Sequence, residues 1–212
     1  MTELHLALAD ARRLQKAYDG LGDSYKNEQW FSEMVGDSIY IAIAGSNDMI
    51  DWIQNLTAWR IWLSQKKIGN TEYKGTAGYV EAANNLYIVF RHLRKDRKIV
   101  LSGHSKGGPV AAFLALMLME QGYDVELRTF AAPKCVTKPI PELGLVKQYI
   151  IAGDYVPDYP KSFRSWQHFG IPYVMGDERI DRIGVIRDIR AAVKAHLIPA
   201  YIQELEKLCT VA

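Results

Sequence analysis

The sequence is poor in cysteine, in net charge and in long apolar runs. Its two cysteines, Cys135 and Cys209, lie far apart and outside any Cys-x-x-Cys or Cys/His spacing, which argues against a disulfide framework or a structural zinc site. Lys and Arg number 26 against 24 Asp and Glu, so no broad basic face forms and nucleic acid is not an expected partner. The longest apolar run, residues 110–119, falls short of the roughly 18 residues of a membrane span and predicts a buried helix instead.

What remains is an ordinary globular composition. Apolar residues make up 49% of the 212 positions and charged residues 24%, which excludes wholesale disorder. The length predicts a single domain over residues 1–212. The N-terminus has no basic region and reaches Asp10 too early for a signal peptide, so a cytoplasmic location is expected, with release by another route left open.

Apolar periodicity predicts an alternation of helices and strands. Helices are expected at 4–18, 47–65, 78–94, 107–121 and 186–208, the last kinked or broken by Pro199. Strands are expected at 29–34, 39–44, 98–101, 125–131 and 145–152, with a strand-like patch at 164–175. This order predicts an α/β fold with a mostly parallel central sheet and helices on both faces. In such sheets the functional groups gather at the carboxyl ends of the strands.

One of those ends carries a candidate nucleophile. The strand at 98–101 runs into residues 103–108 (Gly-His-Ser-Lys-Gly-Gly), the Gly-x-Ser-x-Gly pattern of a nucleophile elbow, and a helix follows. A sharp turn there forces Ser105 into a strained backbone conformation, and Gly103 and Gly107 have no Cβ to collide with their neighbours. A glycine-rich turn that holds a serine by chance is the alternative, and the flanking strand and helix favour the elbow. Lys106 is expected to be solvated.

A serine nucleophile needs an imidazole base, which is oriented in turn by a carboxylate. Downstream of Ser105, the histidines are His168 and His196, and their spacing alone does not choose between them. The candidate acids are Asp154, directly after a predicted strand, and Asp158, inside the loop that follows. The position at a strand end favours Asp154, although an aspartate after Gly153 is also a common turn former.

Taken in order, these motifs resemble the class 3 lipase family, the α/β-hydrolases that include fungal triacylglycerol lipases. The resemblance spans about residues 38–201. The segments that carry it are 39–46 (Ile-Tyr-Ile-Ala-Ile-Ala-Gly-Ser), 51–56 (Asp-Trp-Ile-Gln-Asn-Leu), 77–82 (Ala-Gly-Tyr-Val-Glu-Ala), 103–108, 130–134 (Phe-Ala-Ala-Pro-Lys), 153–157 (Gly-Asp-Tyr-Val-Pro), 168–170 (His-Phe-Gly) and the pair His196 and Tyr201. Two departures are Ala44, where the family usually has Arg, and Ala77, where it often has His.

The resemblance implies an α/β-hydrolase fold and assigns roles to individual residues. Ser105 becomes the nucleophile, Asp154 the acid and His196 the base, and this leaves His168 as a structural residue near the site. The backbone N–H groups of Ser46 and Lys106 become the donors of the oxyanion hole. No metal or cofactor is implied.

The implied activity is hydrolysis of carboxylic esters of lipids, of the triacylglycerol lipase or phospholipase type. The alternatives are an esterase or acyltransferase for small soluble acyl compounds and a catalytically inactive hydrolase-like binding protein. The predicted helix 47–65 corresponds to a lid, and its residues Trp52, Ile53 and Leu56 are expected to contact substrate. Tryptophan suits a lipid surface, so peripheral contact with a membrane is expected of this helix, unless its rings pack against the sheet instead.

Overall fold

The computed structural model describes residues 2–46, 64–160, 166–176 and 189–211 of the chain. Within these ranges, the helices are α1 (Glu3–Tyr18), α2 (Ala77–Phe90), α3 (Gly107–Glu120), α4 (Ile189–His196) and α5 (Ile198–Val211). The strands are β1 (Asp23–Tyr25), β2 (Glu28–Val35), β3 (Ser38–Ile43), β4 (Gln65–Lys67), β5 (Lys74–Thr76), β6 (Lys98–His104), β7 (Val125–Phe130), β8 (Lys147–Ile151) and β9 (Ile171–Met175). Two short 3₁₀ helices, Pro141–Leu143 and Val156–Asp158, lie in the loops on either side of β8.

The main sheet of the described residues runs in the order β1-β2-β3-β6-β7-β8-β9. β1, β2 and β3 pair antiparallel, and every pairing from β3 to β9 is parallel. β4 and β5 form a separate antiparallel pair. The predicted α/β class with a mostly parallel central sheet is therefore confirmed.

Alternating side chains of the strands supply two separate apolar layers. In β3, Ile41 and Ile43 face the layer that contains α2 and α3, and Ala42 faces the layer that contains α1 and α5. Helix α3 is buried along nearly its whole length, as the apolar run 110–119 predicts. Helices therefore cover both faces of the sheet, which leaves its carboxyl edge as the place where loops can build a site.

Most predicted elements agree with the structure to within a few residues, with one correction. The predicted helix 47–65 falls largely outside the described residues, but its end is wrong, because Gln65 is the first residue of β4. The predicted break of the last helix near Pro199 is confirmed, because two helices, α4 and α5, meet at Leu197. The break falls there because Pro199 has no N–H and its ring collides with the preceding turn, so a helix cannot run through it undisturbed.

Among the helices of the described ranges, none combines the length and the apolarity that crossing a bilayer requires.

Candidate active site

The turn between β6 and α3 has the strained geometry expected of the elbow. Ser105 has φ of 54°, a left-handed conformation that non-glycine residues rarely adopt. A Cβ on Gly103 would lie 2.2 Å from the carbonyl oxygen of Gly107, and one on Gly107 would lie 2.3 Å from that of Ile43. Both glycines are therefore required by close backbone packing, which confirms the physical explanation of the Gly-x-Ser-x-Gly spacing.

Ser105, His196 and Asp154 come together at the carboxyl edge of the sheet. His196 Nε2 lies 2.9 Å from Ser105 Oγ, and His196 Nδ1 lies 2.9 and 3.0 Å from the two carboxylate oxygens of Asp154. Because a carboxylate only accepts hydrogen bonds, Nδ1 carries the proton and Nε2 is left to accept from the serine hydroxyl. All three residues are buried.

The loop after β8 holds the Asp154 carboxylate in place. The backbone N–H of Val156 donates to Oδ1 at 3.0 Å, and the hydroxyl of Tyr201 donates to Oδ2 at 2.7 Å. Tyr201 in turn accepts from the backbone N–H of Ile151 at 3.2 Å. The alternative acid Asp158 lies four residues on, in the 3₁₀ helix. The hydrogen bonds to Nδ1 group Asp154 with the imidazole.

The end of β3 passes directly beside the elbow. A Cβ on Gly45 would lie 2.9 Å from Ser105 Cβ and 3.0 Å from the carbonyl oxygen of His104, so only glycine fits there. Ser46 follows Gly45, and Lys106 follows Ser105 at the start of α3. Their backbone N–H groups donate to no protein acceptor in the described part of the chain. Two amides are therefore available near the Ser105 hydroxyl.

The side chain of Lys106 differs from the expectation that it is solvated. Its ammonium pairs with the carboxylate of Glu28 at 2.8 Å, and Glu28 is buried at the start of β2. A buried carboxylate needs a cationic partner, which explains why the side chain of Lys106 turns toward the sheet edge instead of into solvent.

The imidazole of His104 occupies the far side of the elbow from α3. Its Nδ1 lies 2.7 Å from the hydroxyl of Tyr18, at the end of α1, and its Nε2 lies 2.8 Å from the backbone carbonyl of His196. The Tyr18 hydroxyl also accepts from the backbone N–H of Gly45 at 2.7 Å. Sequence reasoning missed this cluster, because Tyr18 fits the apolar helical spacing of α1 and carries no local motif.

His168 lies apart from the serine. It lines a cavity of about 260 Å³ together with Lys134, Asp154 and Asp158, and its buried Nδ1 has no hydrogen-bond partner among the residues that the structure describes. Burial, with a smaller contribution from nearby Lys134, lowers the pKa of His168 to about 4. The structure therefore places His196, and not His168, beside Ser105.

The remaining candidates are the three residues of the predicted helix 47–65 that are expected to contact substrate. Trp52, Ile53 and Leu56 lie outside the described residues, as does most of the predicted lid helix 47–65.

A parallel sheet with a serine elbow at one strand end, followed in the chain by an acid and then a histidine, defines an α/β-hydrolase. Within that class, the chain belongs to the class 3 lipase family, whose model matches residues 40–163. It is therefore a serine hydrolase of the carboxylic ester hydrolase class.

Solved structures with the same fold include fungal lipases. Rhizomucor miehei triacylglyceride lipase shares 15% identity with a TM-score of 0.61, over 84% of this chain and 82% of that one. Yarrowia lipolytica LIP2 lipase also shares 15% with a TM-score of 0.61, over 82% and 80%. A further fungal lipase covers 96% of both chains at 13% identity, with a TM-score of 0.58. No curated protein sequence matches the chain. At these identities the likeness concerns the fold.

Proposed function

We propose that the protein hydrolyses carboxylic esters of lipids, such as triacylglycerols or phospholipids, with Ser105 as nucleophile, His196 as base and Asp154 as the orienting acid. The observation that carries the proposal is the continuous hydrogen-bonded series from Ser105 Oγ through the His196 imidazole to the Asp154 carboxylate, on a strained elbow. Family membership supports a lipid ester as the substrate.

The geometry defines the proposed reaction. Ser105 Oγ attacks the ester carbonyl while His196 Nε2 takes its proton, and Asp154 stabilises the imidazolium that forms. His196 then protonates the leaving alcohol, and an acyl group remains on Ser105. Water, activated by the same imidazole, hydrolyses this acyl-enzyme and restores the serine.

The negative charge of the tetrahedral intermediate needs fixed donors. The backbone N–H groups of Ser46 and Lys106 are the candidates, because both lie beside Ser105 and neither donates to an acceptor among the described residues. Lys106 also stands at the N-terminus of α3, where the helix dipole favours an anion. Loss of one such donor typically costs about 100- to 1,000-fold in rate.

The assignment of Ser105 as nucleophile is tested by covalent labelling of the protein and by its rate of ester hydrolysis. A fluorophosphonate probe should label the protein, and Ser105→Ala should abolish both the adduct and hydrolysis of p-nitrophenyl butyrate. Ser102→Ala, three residues earlier and within β6, is the matched control and should keep both. An unlabelled wild-type protein would indicate an inactive, hydrolase-shaped binding protein. Wild-type turnover by Ser105→Ala would refute the assignment.

Substrate class is tested with a series of p-nitrophenyl esters and with emulsified lipids. A lipid hydrolase should prefer acyl chains of eight carbons or more, whereas an esterase for soluble compounds should prefer acetate or butyrate. Turnover of triolein against dioleoylphosphatidylcholine then separates a triacylglycerol lipase from a phospholipase.

We also propose that the segment 47–65 acts as a lid that opens at a lipid surface. Ser105 and His196 are 2% and 0% exposed, and this burial supports the proposal of a lid. The segment follows the Ser46 turn directly and carries three tryptophans, whose amphipathic rings suit a lipid interface. The rate should rise when a substrate passes from monomers to aggregates, and a flat profile would contradict the lid.

A further inference from the structure

We propose that Tyr18 is a positioning residue for the reaction: together with His104, its hydroxyl fixes the Gly45–Ser46 turn and the backbone of His196 relative to Ser105. This inference rests on the proposed function and extends it to α1, which lies outside the stretch that the family model matches.

The hydrogen bonds of the cluster have a defined direction. Gly45 N–H can only donate, so the Tyr18 oxygen accepts from it at 2.7 Å. The single proton of the Tyr18 hydroxyl is then free to be donated to His104 Nδ1, also at 2.7 Å. An imidazole that accepts at Nδ1 carries its proton on Nε2, which donates to the carbonyl of His196 at 2.8 Å. The series satisfies every donor and acceptor that it includes.

The ionisation states of the two side chains are consistent with this series. Burial, reinforced by the adjacent His196, lowers the pKa of His104 well below its usual value, so its imidazole is neutral at neutral pH. Burial raises the pKa of the Tyr18 phenol, so the hydroxyl keeps its proton. A neutral histidine and a protonated tyrosine are the states in which the directions above hold.

The cluster joins three separate segments of the site. Tyr18 contacts the end of β3 through Gly45, and His104 lies on the elbow next to Ser105. The rings of Tyr18 and His104 meet edge to face with centroids 5.6 Å apart, and the rings of His104 and His196 lie 5.0 Å apart. One hydroxyl and one imidazole thus connect the oxyanion turn, the nucleophile and the base.

The Tyr18–His104 cluster affects the rate through the transition state, because it holds the backbone that carries the Ser46 amide. The Ser46 amide stabilises a developing oxyanion only if it already points at the right place, because preorganised donors need no rearrangement during the reaction. Removing the Tyr18 hydroxyl leaves Gly45 N–H and His104 Nδ1 without their partner and frees the turn to shift. A displacement of about 1 Å can cost about 100-fold in rate.

The first experiment is Tyr18→Phe, which deletes only the hydroxyl. We expect kcat for p-nitrophenyl butyrate to fall about 10- to 100-fold, less than for a complete loss of an oxyanion donor. KM should change less than about threefold, because the bound ester gains little from that donor before the carbonyl is attacked. Binding of butylboronic acid, whose adduct with Ser105 is tetrahedral, should weaken in proportion to kcat.

Tyr123→Phe is the matched control. Tyr123 lies just before β7, at the opposite end of the sheet from the site. Its hydroxyl is part-buried and lies 2.9 Å from the backbone carbonyl oxygens of both Arg91 and Leu93. Its loss should lower the melting temperature without changing kcat. An unchanged kcat in Tyr18→Phe, or an equal loss of kcat in both variants, would overturn the proposal.

A second measurement tests the proposal on the wild-type protein, so it remains informative even if Tyr18→Phe fails to fold. Nitrogen-15 NMR of the histidine-labelled wild-type protein should show His104 as the neutral tautomer with the proton on Nε2. In Tyr18→Phe, the Nδ1 resonance should move downfield as its hydrogen bond is lost. The opposite tautomer in the wild type would refute the proposed directions. This readout stays valid if the wild type fails to hydrolyse esters, which would refute the proposed function instead.

Discussion

At the scale of single residues, the Asp154 carboxylate is held from three directions. His196 Nδ1, the backbone N–H of Val156 and the Tyr201 hydroxyl all donate to it. Because these three donors together prevent the carboxylate from rotating, the carboxylate fixes both the orientation and the tautomer of the imidazole. In the proposed reaction, the aspartate therefore acts through the imidazole without contacting the ester.

Asp154→Asn tests this role. The amide can offer an N–H to His196 Nδ1, which favours the wrong tautomer and directs the Nε2 proton at Ser105. We expect kcat to fall about 10,000-fold with the fold intact, as for the corresponding change in a serine protease. Asp158→Asn is the matched control and should retain activity in the same p-nitrophenyl butyrate assay. Equal losses in both variants would contradict the choice of Asp154.

At the scale of elements, helix α1 is fixed to the sheet by buried ion pairs as well as by its apolar face. Arg128 on β7 contacts Glu3 and Asp10 at 3.0 Å each, and Arg13 joins Asp10 to Glu33 on β2. Burial raises the pKa of Asp10, although Arg128 and Arg13 both oppose that effect. These pairs fix α1 against the sheet, and Tyr18 is its last residue.

Arg128→Met should therefore destabilise the protein. It leaves the Asp10 carboxylate with Arg13 alone, and removing one partner of a buried pair costs about 3 kcal/mol or more. Adding Asp10→Asn should recover part of the loss, because the uncompensated charge is then gone. Arg12→Met is the control: its pair with Glu206 is about half exposed, so its loss should cost less than about 1 kcal/mol. Urea unfolding measures all three variants, and similar losses in Arg128→Met and Arg12→Met would contradict this account.

The long elements were predictable because their patterns are local. The apolar run of α3 and the continuous apolar segment of β3, rich in isoleucine, identify their type and nearly their bounds. β1, β4 and β5 were missed, because each has three residues and β1 and β4 are fully exposed, so no apolar period marks them. The elbow was predictable because its sequence pattern is local, although the close contact that requires Gly107 is with Ile43 on β3.

At the scale of the whole molecule, the site depends on contacts that no short pattern encodes. Spacing left His168 and His196 equal, and the family resemblance chose His196. In the folded chain His196 lies beside Ser105, whereas His168 lines the cavity next to the acid loop. Tyr18 is the extreme case. It follows the apolar face of α1, and its hydroxyl acquires a role only once α1 packs across the sheet. The sequence therefore predicts the elbow from its local pattern and the place of His196 beside it only by resemblance, and it does not reveal the Tyr18–His104 cluster.

The global stability should depend on pH through His168. Burial holds its pKa at about 4 in the folded protein, against about 6.5 in an unfolded chain. Between these values the unfolded state binds a proton that the folded state does not, so the free energy of unfolding falls as the pH falls. The full difference corresponds to about 3 kcal/mol.

His168→Gln should remove this contribution, because glutamine does not titrate. Urea unfolding at several pH values between 7 and 4 should show a shallower decline for His168→Gln than for the wild type. The exposed His92→Gln serves as the control and should follow the wild-type curve. Parallel curves for the wild type and His168→Gln would mean that the folded state already protonates this imidazole, and that the cavity beside Asp154 admits water freely.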